Sequence, residues 1–513
     1  MNLPCYPVEF PADRARWLRY FAWVLICGVG REIAAAEVSV RVRFDAAVHQ
    51  EPFSGRVYLF TSAKQPEPRR GPNWFAPEQF FSMDVADWQP GSELVFGPKT
   101  AESVRGHPQK FSDWRPAGGR IQAVIRFNPW ERDVGRGAGN GFSPARDINE
   151  ELTAGRQELV VDQLVPAPVF EETAIRRLVA LKSGLLSDFY HRTVLLRAAV
   201  LLPSDYAAQP QQRFPVVYVI PGFTGTHHAF PAANDPSKSE SPNGVQFIRV
   251  ILNPECPFGH HVFADSANNG PWGQALIEEL IPEVERRFRT FPHESARFVT
   301  GHSSGGWSSL WLQVAYPDVF GGVWSTAPDP VDFRDFQQID IYRAGENVYR
   351  APDGSRRPLA RKSKTEVALW YDDFDHMEET LGPGGQLFSF EAVFSPRGDG
   401  GLPLQLWNRT TGAINPAVAQ AWEAYDIRLM LERNWARLGS RLAGKLHIFM
   451  GDQDTFYLEG STRLLQNLLK QLGSDAVVEI HPDQDHRTLL TDELQKQIRQ
   501  QMTDAFLRHH PPK

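Results

Sequence analysis

The stretch RFVTGHSSGGWSSL (297–310) constrains the fold of this 513-residue chain more than any other. An apolar strand, Arg297–Thr300, runs straight into Gly301-His302-Ser303-Ser304-Gly305. A helical pattern opens near Gly306-Trp307 and continues over Ser308–Tyr316 to Pro317. A G-x-S-x-G string alone is a weak signal. Between a buried strand and a helix it marks a turn so sharp that the serine is forced into a strained backbone region. Glycine is needed at 301 and 305 because a Cβ there would strike the strand or the helix. The Ser303 hydroxyl would then stand above the carboxyl edge of a parallel sheet, where open α/β sheets bind ligands.

The surrounding rhythm agrees. Arg192–Leu202, Pro215–Ile220, Phe247–Leu252, Gly322–Ser325, Leu446–Met450 and Ala476–Ile480 read as strands. Pro215–Ile220 is continuously apolar, as in a strand buried on both faces. Helical patterns lie between them at Trp272–Phe288, Ser461–Leu472 and Leu489–Leu507. Such alternation predicts a doubly wound, mostly parallel α/β sheet over residues 185–513. Residues of about 330–440 break the rhythm with a basic loop, an aromatic run and a helix near Ala417–Leu438. An insertion of this length between neighbouring strands predicts a lid over a site. There is no internal repeat and no coiled-coil heptad.

Residues 37–170 have a different period. Val38, Val40, Val42 and Phe44 alternate with Ser39, Arg41 and Arg43, the pattern of a half-buried antiparallel strand. Arg56–Phe60, Arg120–Phe127 and Glu158–Val161 repeat it between Pro/Gly-rich turns. Short strands at this spacing predict a β-sandwich. Gly135, Gly137, Gly139 and Gly141 lack the spacing and βαβ setting of a dinucleotide loop and are expected to form a flexible surface loop. Ahead of this part, Arg14, Arg16 and Arg19 precede the apolar Tyr20–Gly30 and the small residues Ala34–Ala36. Residues 1–36 therefore read as an export signal, too short to span a bilayer, which needs about 20 residues. A periplasmic or secreted protein with no stable membrane insertion after cleavage is expected.

Composition excludes several classes. With 54 basic against 61 acidic residues the net charge is −7, without the basic excess of a nucleic-acid binder. Three cysteines cannot build a disulfide framework, and cleavage after Ala36 would leave only Cys256.

A serine hydroxyl needs a base, and the base an orienting acid. Where the serine sits on such a turn, acid and histidine follow it in chain order. Leu446–Met450 exits into Gly451-Asp452-Gln453-Asp454, and Val477–Ile480 into His481-Pro482-Asp483-Gln484-Asp485-His486. Asp454 is the expected acid, with Asp452 and Asp329 as alternatives. His486, on the loop beyond the strand, is the expected base, with His481 as the alternative. Developing negative charge needs fixed N–H donors. Ser304 and the loop Pro221-Gly222-Phe223-Thr224-Gly225 supply them, with Phe223 favoured over Thr224. The Asp/His run at 481–486 lacks metal-ligand spacing, so no metal and no cofactor is expected. His227, His228, His260 and His261 read as exposed loop residues, and Arg356, Arg357, Arg361, Lys362 and Lys364 as a solvated loop. Trp272 and Trp307 read as core or as walls of a pocket.

LLPSDY (201–206), FPVVYVIPGFTG (214–225), ELIPEVERRF (279–288), the elbow segment and YPDVFGGVWSTAPDP (316–330) together resemble the putative esterase family of α/β-hydrolases, which includes enterochelin-esterase-like, esterase D-like and mycolyltransferase-like members. The resemblance spans about 192–513. It implies an α/β-hydrolase fold, a Ser303–Asp454–His486 triad, and backbone donors at Phe223 and Ser304. It is also compatible with an immunoglobulin-like domain at the N-terminus. Many relatives carry His-Gly where this chain has Pro221-Gly222. The function expected is carboxylic ester hydrolysis through an acyl-enzyme, on a small-molecule, glycan or siderophore ester. Acyl transfer on the same triad and a non-catalytic binding protein are the alternatives.

Overall fold

A computed structural model describes residues 38–228 and 244–511. The expected export signal, residues 1–36 with Cys5 and Cys27, lies outside the described residues. Among the described residues, no helix is long and apolar enough to cross a membrane, and the free Cys256 is buried.

The described residues belong to one compact unit. At its centre is an eight-stranded sheet. In spatial order its strands are Arg176–Ser183, Val194–Leu201, Ile248–Leu252, Val216–Ile220, Arg297–His302, Gly322–Thr326, Leu446–Gly451 and Val477–His481. The first two strands pair antiparallel with their neighbours, and the remaining six run parallel. The sheet therefore begins one strand earlier than residue 185. Arg176–Ser183 has mixed polar and apolar residues because it is an edge strand, and it carried no clear periodic signal.

Side chains of the parallel strands alternate between two layers. Val217, Phe298, Trp324 and Phe449 meet the C-terminal helix Asp492–His509 through Leu494, Ile498, Met502 and Phe506. These recur every four residues, the stripe an amphipathic helix buries. The Thr491 hydroxyl caps this helix by accepting from the Leu494 amide at 3.2 Å. On the opposite face Val216, Tyr218, Val299, Val323 and Ile448 pack with Trp307 and Leu310 of helix Ser304–Ala315, Leu431 and Leu438 of helix Ile427–Leu442, and Leu465 of helix Glu459–Gln471.

The expected 330–440 insertion ends earlier, near Asp426. Helix Ile427–Leu442 belongs to the sheet's covering layer. Between residues 327 and 426 lie the hairpin Pro358–Arg361/Val367–Trp370 and helices Tyr371–Leu381, Gln386–Phe394 and Pro416–Trp422. The basic loop is not solvated as a whole. Arg357 is buried and pairs with Glu346, Arg356 pairs with Asp372, and Arg361 with Glu459. Lys362 and Lys364 remain exposed.

Ahead of this fold are a three-stranded and a seven-stranded sheet. Ser39–Phe44 pairs antiparallel with Leu94–Phe96 but parallel with Ala154–Val161, so its alternation identified the strand and not its partners. Val40, Val42, Phe44, Leu159 and Val161 of the smaller sheet share a core with Val57, Leu59, Phe81 and Ile121 of the larger. The intervening residues of the larger sheet, Tyr58, Phe60, Phe80 and Val124, enter the core of the main sheet and its insertion. That sheet is covered on both faces, which explains the unbroken apolar run Val57–Phe60.

The contact is specific. Arg56 Nη1 donates to the Glu379 carbonyl at 2.8 Å, Ser82 Oγ to Thr380 at 2.6 Å, and Tyr58 Oη to Leu381 at 2.6 Å. These are the last carbonyls of helix Tyr371–Leu381, which the helix itself cannot satisfy. A guanidinium at a helix C-terminus also complements its dipole. The glycine-rich 135–141 segment is likewise packed and not a surface loop: Asn140 is fully buried, and a Cβ on Gly135 would lie 1.7 Å from the Arg69 carbonyl.

Candidate active site

Ser303 joins strand Arg297–His302 to helix Ser304–Ala315 with φ +61° and ψ −127°. A non-glycine residue held there stores about 1–3 kcal/mol of strain. The neighbourhood enforces it: Ser303 N donates to Thr326 O at 3.0 Å, and Ser303 O accepts from Trp307 N at 3.0 Å. The flanking glycines are sterically required. A Cβ on Gly301 would sit 2.1 Å from the Gly305 carbonyl oxygen, and one on Gly305 would sit 2.0 Å from that of Ile220.

His486 and Asp454 meet from successive strand ends. His486 Nδ1 lies 2.6 Å from Asp454 Oδ2. An ionised carboxylate only accepts, so the proton is on Nδ1 and Nε2 is left with its lone pair. Asp454 is fully buried, and its other oxygen accepts from the Phe456 amide at 2.9 Å. Burial pulls the His486 pKa down, but the charge and hydrogen bond of Asp454 outweigh it, and the pKa stands above its ordinary value. Of the alternatives, Asp452 accepts from the Asp483 amide at 2.7 Å, and His481 ends its strand beside Glu479.

Ser303 and His486 line one cavity of about 460 Å³ with Gly222, Phe223 and Thr224. The 221–225 loop approaches the serine closely: a Cβ on Gly222 would be 3.3 Å from Ser303 Cβ. Ser304 is the first residue of its helix, so its N–H is among those without an intrahelical acceptor. The rest of the wall is mainly apolar, with Leu359, Phe374, Leu387, Phe390, Phe456 and Leu458.

Asp329 lines the same cavity but does not hold His486. Its Oδ2 accepts from Ser304 Oγ at 2.6 Å, and burial pushes its pKa up to about 6. Gln386 Nε2 lies 3.3 Å from Ser304 Oγ.

The histidine pairs depart from expectation. His227, His260 and His261 are buried. His260 accepts from the Val262 amide on Nδ1 at 3.1 Å, so its Nε2 carries the proton and donates to the Pro221 carbonyl at 2.9 Å. This bond fixes the residue that leads into the 222–224 loop. His261 stacks on Trp272 with centroids 3.8 Å apart, and Trp307 stacks on Trp311, so both tryptophans are core and neither lines the cavity. Sequence reasoning also missed Trp74, which reaches the cavity from the N-terminal sheets. Nothing in its loop's local pattern signals that placement.

A family model described as "Putative esterase" matches residues 195–487, which include Ser303, Asp454 and His486. The chain belongs to this family. Membership and the sheet topology make it an α/β-hydrolase and support ester hydrolysis in general. No curated protein matches the chain. Among solved structures it is similar to an S-formylglutathione hydrolase from Agrobacterium tumefaciens, at 17% identity over 67% of this chain and 97% of that one, TM-score 0.37. It is also similar to an S-formylglutathione hydrolase from Staphylococcus aureus, at 12% identity over 64% and 98%, TM-score 0.38. A third is a ferulic acid esterase from Anaeromyces mucronatus, at 13% identity over 62% and 89%, TM-score 0.32.

Proposed function

We propose that this protein cleaves carboxylic esters by forming an acyl-enzyme on Ser303. The observation that carries the reading is the 2.6 Å bond between His486 Nδ1 and Asp454, with His486 and the strained Ser303 on the wall of one cavity. His486 Nε2 takes the Ser303 proton as Oγ attacks the carbonyl carbon. Asp454 stays ionised and stabilises the imidazolium that results. The amides of Phe223 and Ser304 hold the oxyanion, a contribution worth about 3–4 kcal/mol per donor in comparable sites. The imidazolium then protonates the departing alcohol oxygen. Water repeats the sequence on the acyl-enzyme, releasing the acid and the free serine. The apolar walls favour esters with an apolar acyl or aryl group.

We read residues 37–170 as a β-sandwich of immunoglobulin-like type, supported by the two sheets that share a core. Residues 1–36 are read as a cleaved export signal, and the protein as periplasmic or secreted. Amino-terminal sequencing of the exported protein would then begin at Glu37.

The deciding experiment is labelling with a fluorophosphonate together with turnover of p-nitrophenyl esters, on the native chain and on Ser303→Ala. Labelling and turnover are expected to vanish together in the variant. Turnover that survives in Ser303→Ala would refute the reading.

A further inference from the structure

We propose that Trp74, carried by the N-terminal sheets, is a specificity-determining residue that sets the length of the apolar group the catalytic cavity accepts. This rests on the esterase reading given above. Trp74 lies in the loop between strands Phe53–Ser62 and Phe80–Trp88. The loop is anchored at its base, where Thr61 Oγ1 donates to the Gln79 carbonyl at 2.7 Å and the Ala63 amide to Glu78 at 2.8 Å. At its tip the Asn73 side chain accepts from the Phe75 amide at 2.9 Å and fixes the turn that presents Trp74.

The indole meets two groups of the main fold. Its centroid is 4.9 Å from that of Phe374, on the insertion, at 77°. It is 5.6 Å from Phe223 on the proposed oxyanion loop. Phe223 is covered in addition by Arg132, whose guanidinium carbon lies 4.7 Å from the ring centroid and which is paired with Glu255 at 2.7 Å. Edge-to-face aromatic pairs of this kind add about 0.5–1.5 kcal/mol beyond the area they bury.

Trp74 and Phe374 line the catalytic cavity of about 460 Å³, and both also line a second cavity of about 940 Å³. The second cavity lies between the N-terminal sheets and the insertion. Its walls mix Val104, Leu369 and Met377 with Arg105, Lys110 and Glu379. The two rings in contact are therefore the partition between the cavities. A chain bound on the Ser303 side meets this partition, and truncating either ring joins the two spaces. Among the described residues, only the N-terminal sheets supply the Trp74 half of the wall, so the site is incomplete without them.

The test compares Trp74→Ala, Trp74→Phe and Phe374→Ala with the native enzyme on p-nitrophenyl butyrate and dodecanoate. The measured quantity is the ratio of kcat/KM for the long ester to that for the short. Because it is a ratio, it remains readable when a variant loses part of its activity on both esters. Opening a wall should raise it at least about tenfold in both alanine variants, since a few methylenes in an apolar pocket discriminate by that much or more. Trp74→Phe should stay near the native value. A uniform fall on both esters with an unchanged ratio would show that Trp74 acts only through Phe223, and the proposal would be wrong. If Trp74→Ala does not fold, Phe374→Ala tests the same partition from the other side.

Binding separates this proposal from the reading it rests on. Calorimetry of butyric and dodecanoic acid with Ser303→Ala, with and without Trp74→Ala, needs no turnover. Absence of Ser303-dependent turnover in the native chain would remove the esterase reading. The partition then stands or falls on whether Trp74→Ala selectively tightens dodecanoic acid binding.

Discussion

Arg361, on the insertion hairpin, donates from Nε to the backbone carbonyl of Asp454 at 2.9 Å. Its Nη2 bonds Glu459 at 2.6 Å, and its guanidinium lies over the Tyr457 ring. The insertion thus holds the loop carrying the carboxylate behind His486, and Arg361 is a positioning residue. Arg361→Met should lower kcat about tenfold to a hundredfold with little change in KM, as expected for a misplaced catalytic group. It should also cost about 2–3 kcal/mol of stability by leaving Glu459 without its cation. Arg361→Lys should not restore kcat, because one ammonium cannot serve both acceptors in this geometry. Steady-state kinetics and urea denaturation of the three proteins check this.

The pH profile follows from the charges around His486. Burial lowers its pKa, while Asp454, Asp329 and Asp485 raise it further than burial lowers it. The neighbouring His302, itself driven to about 4 by burial, is neutral in this range. A base must be unprotonated, so kcat/KM should rise with pH through an apparent pKa above the ordinary histidine value of 6.5. Asp329→Asn removes one of the raising charges and should move that limb to lower pH. Because Asp329 itself titrates near 6, the native limb belongs to the coupled pair. A limb that stays in place in Asp329→Asn would count against the electrostatic account.

His260 supports the proposed oxyanion loop from behind, through its 2.9 Å bond to Pro221 O. Burial drives its pKa to about 4, so the bond persists unchanged across neutral pH. His260→Phe should fill the space but leave the Pro221 carbonyl and the Val262 amide unpaired, at a cost of about 1–3 kcal/mol for each. The expected kinetic effect is a fall in kcat with KM nearly unchanged. A Gln at this position, able to donate and accept, should recover part of it.

Backbone strain at Ser303 makes a prediction that involves no chemistry. Ser303→Gly and Ser303→Ala should both be inactive, but glycine adopts φ +61°, ψ −127° without a Cβ penalty. Ser303→Gly should therefore be more stable than Ser303→Ala by about 1 kcal/mol or more. Equal melting temperatures would mean that the elbow is unstrained.

Much of the main fold was legible because its signals are local. The continuous apolar run at 216–220 and the strand–glycine–helix grammar at 297–310 reflect constraints that act within a few residues. Asp454 and His486 each follow a strand end closely, so chain order alone places them at the same sheet edge. His260, His261 and Arg357 were misjudged for one shared reason. A polar side chain in a loop reads as solvated unless its distant partner is known, and the partners here are Pro221, Trp272 and Glu346. The insertion's far boundary was misplaced because helix Ile427–Leu442 has an amphipathic pattern whichever layer it covers.

The sequence by itself determined the elbow and which residues stand at the neighbouring strand ends, since steric demand at Gly301 and Gly305 and the position of strand ends are properties of short segments. Only the tertiary structure decided how the cavity around them is walled. Trp74, Phe374 and Phe223 are far apart along the chain and come together because alternate residues of one N-terminal sheet are buried in two cores at once. Side chains that meet across such distances leave no periodic trace, so their contact is set by packing alone.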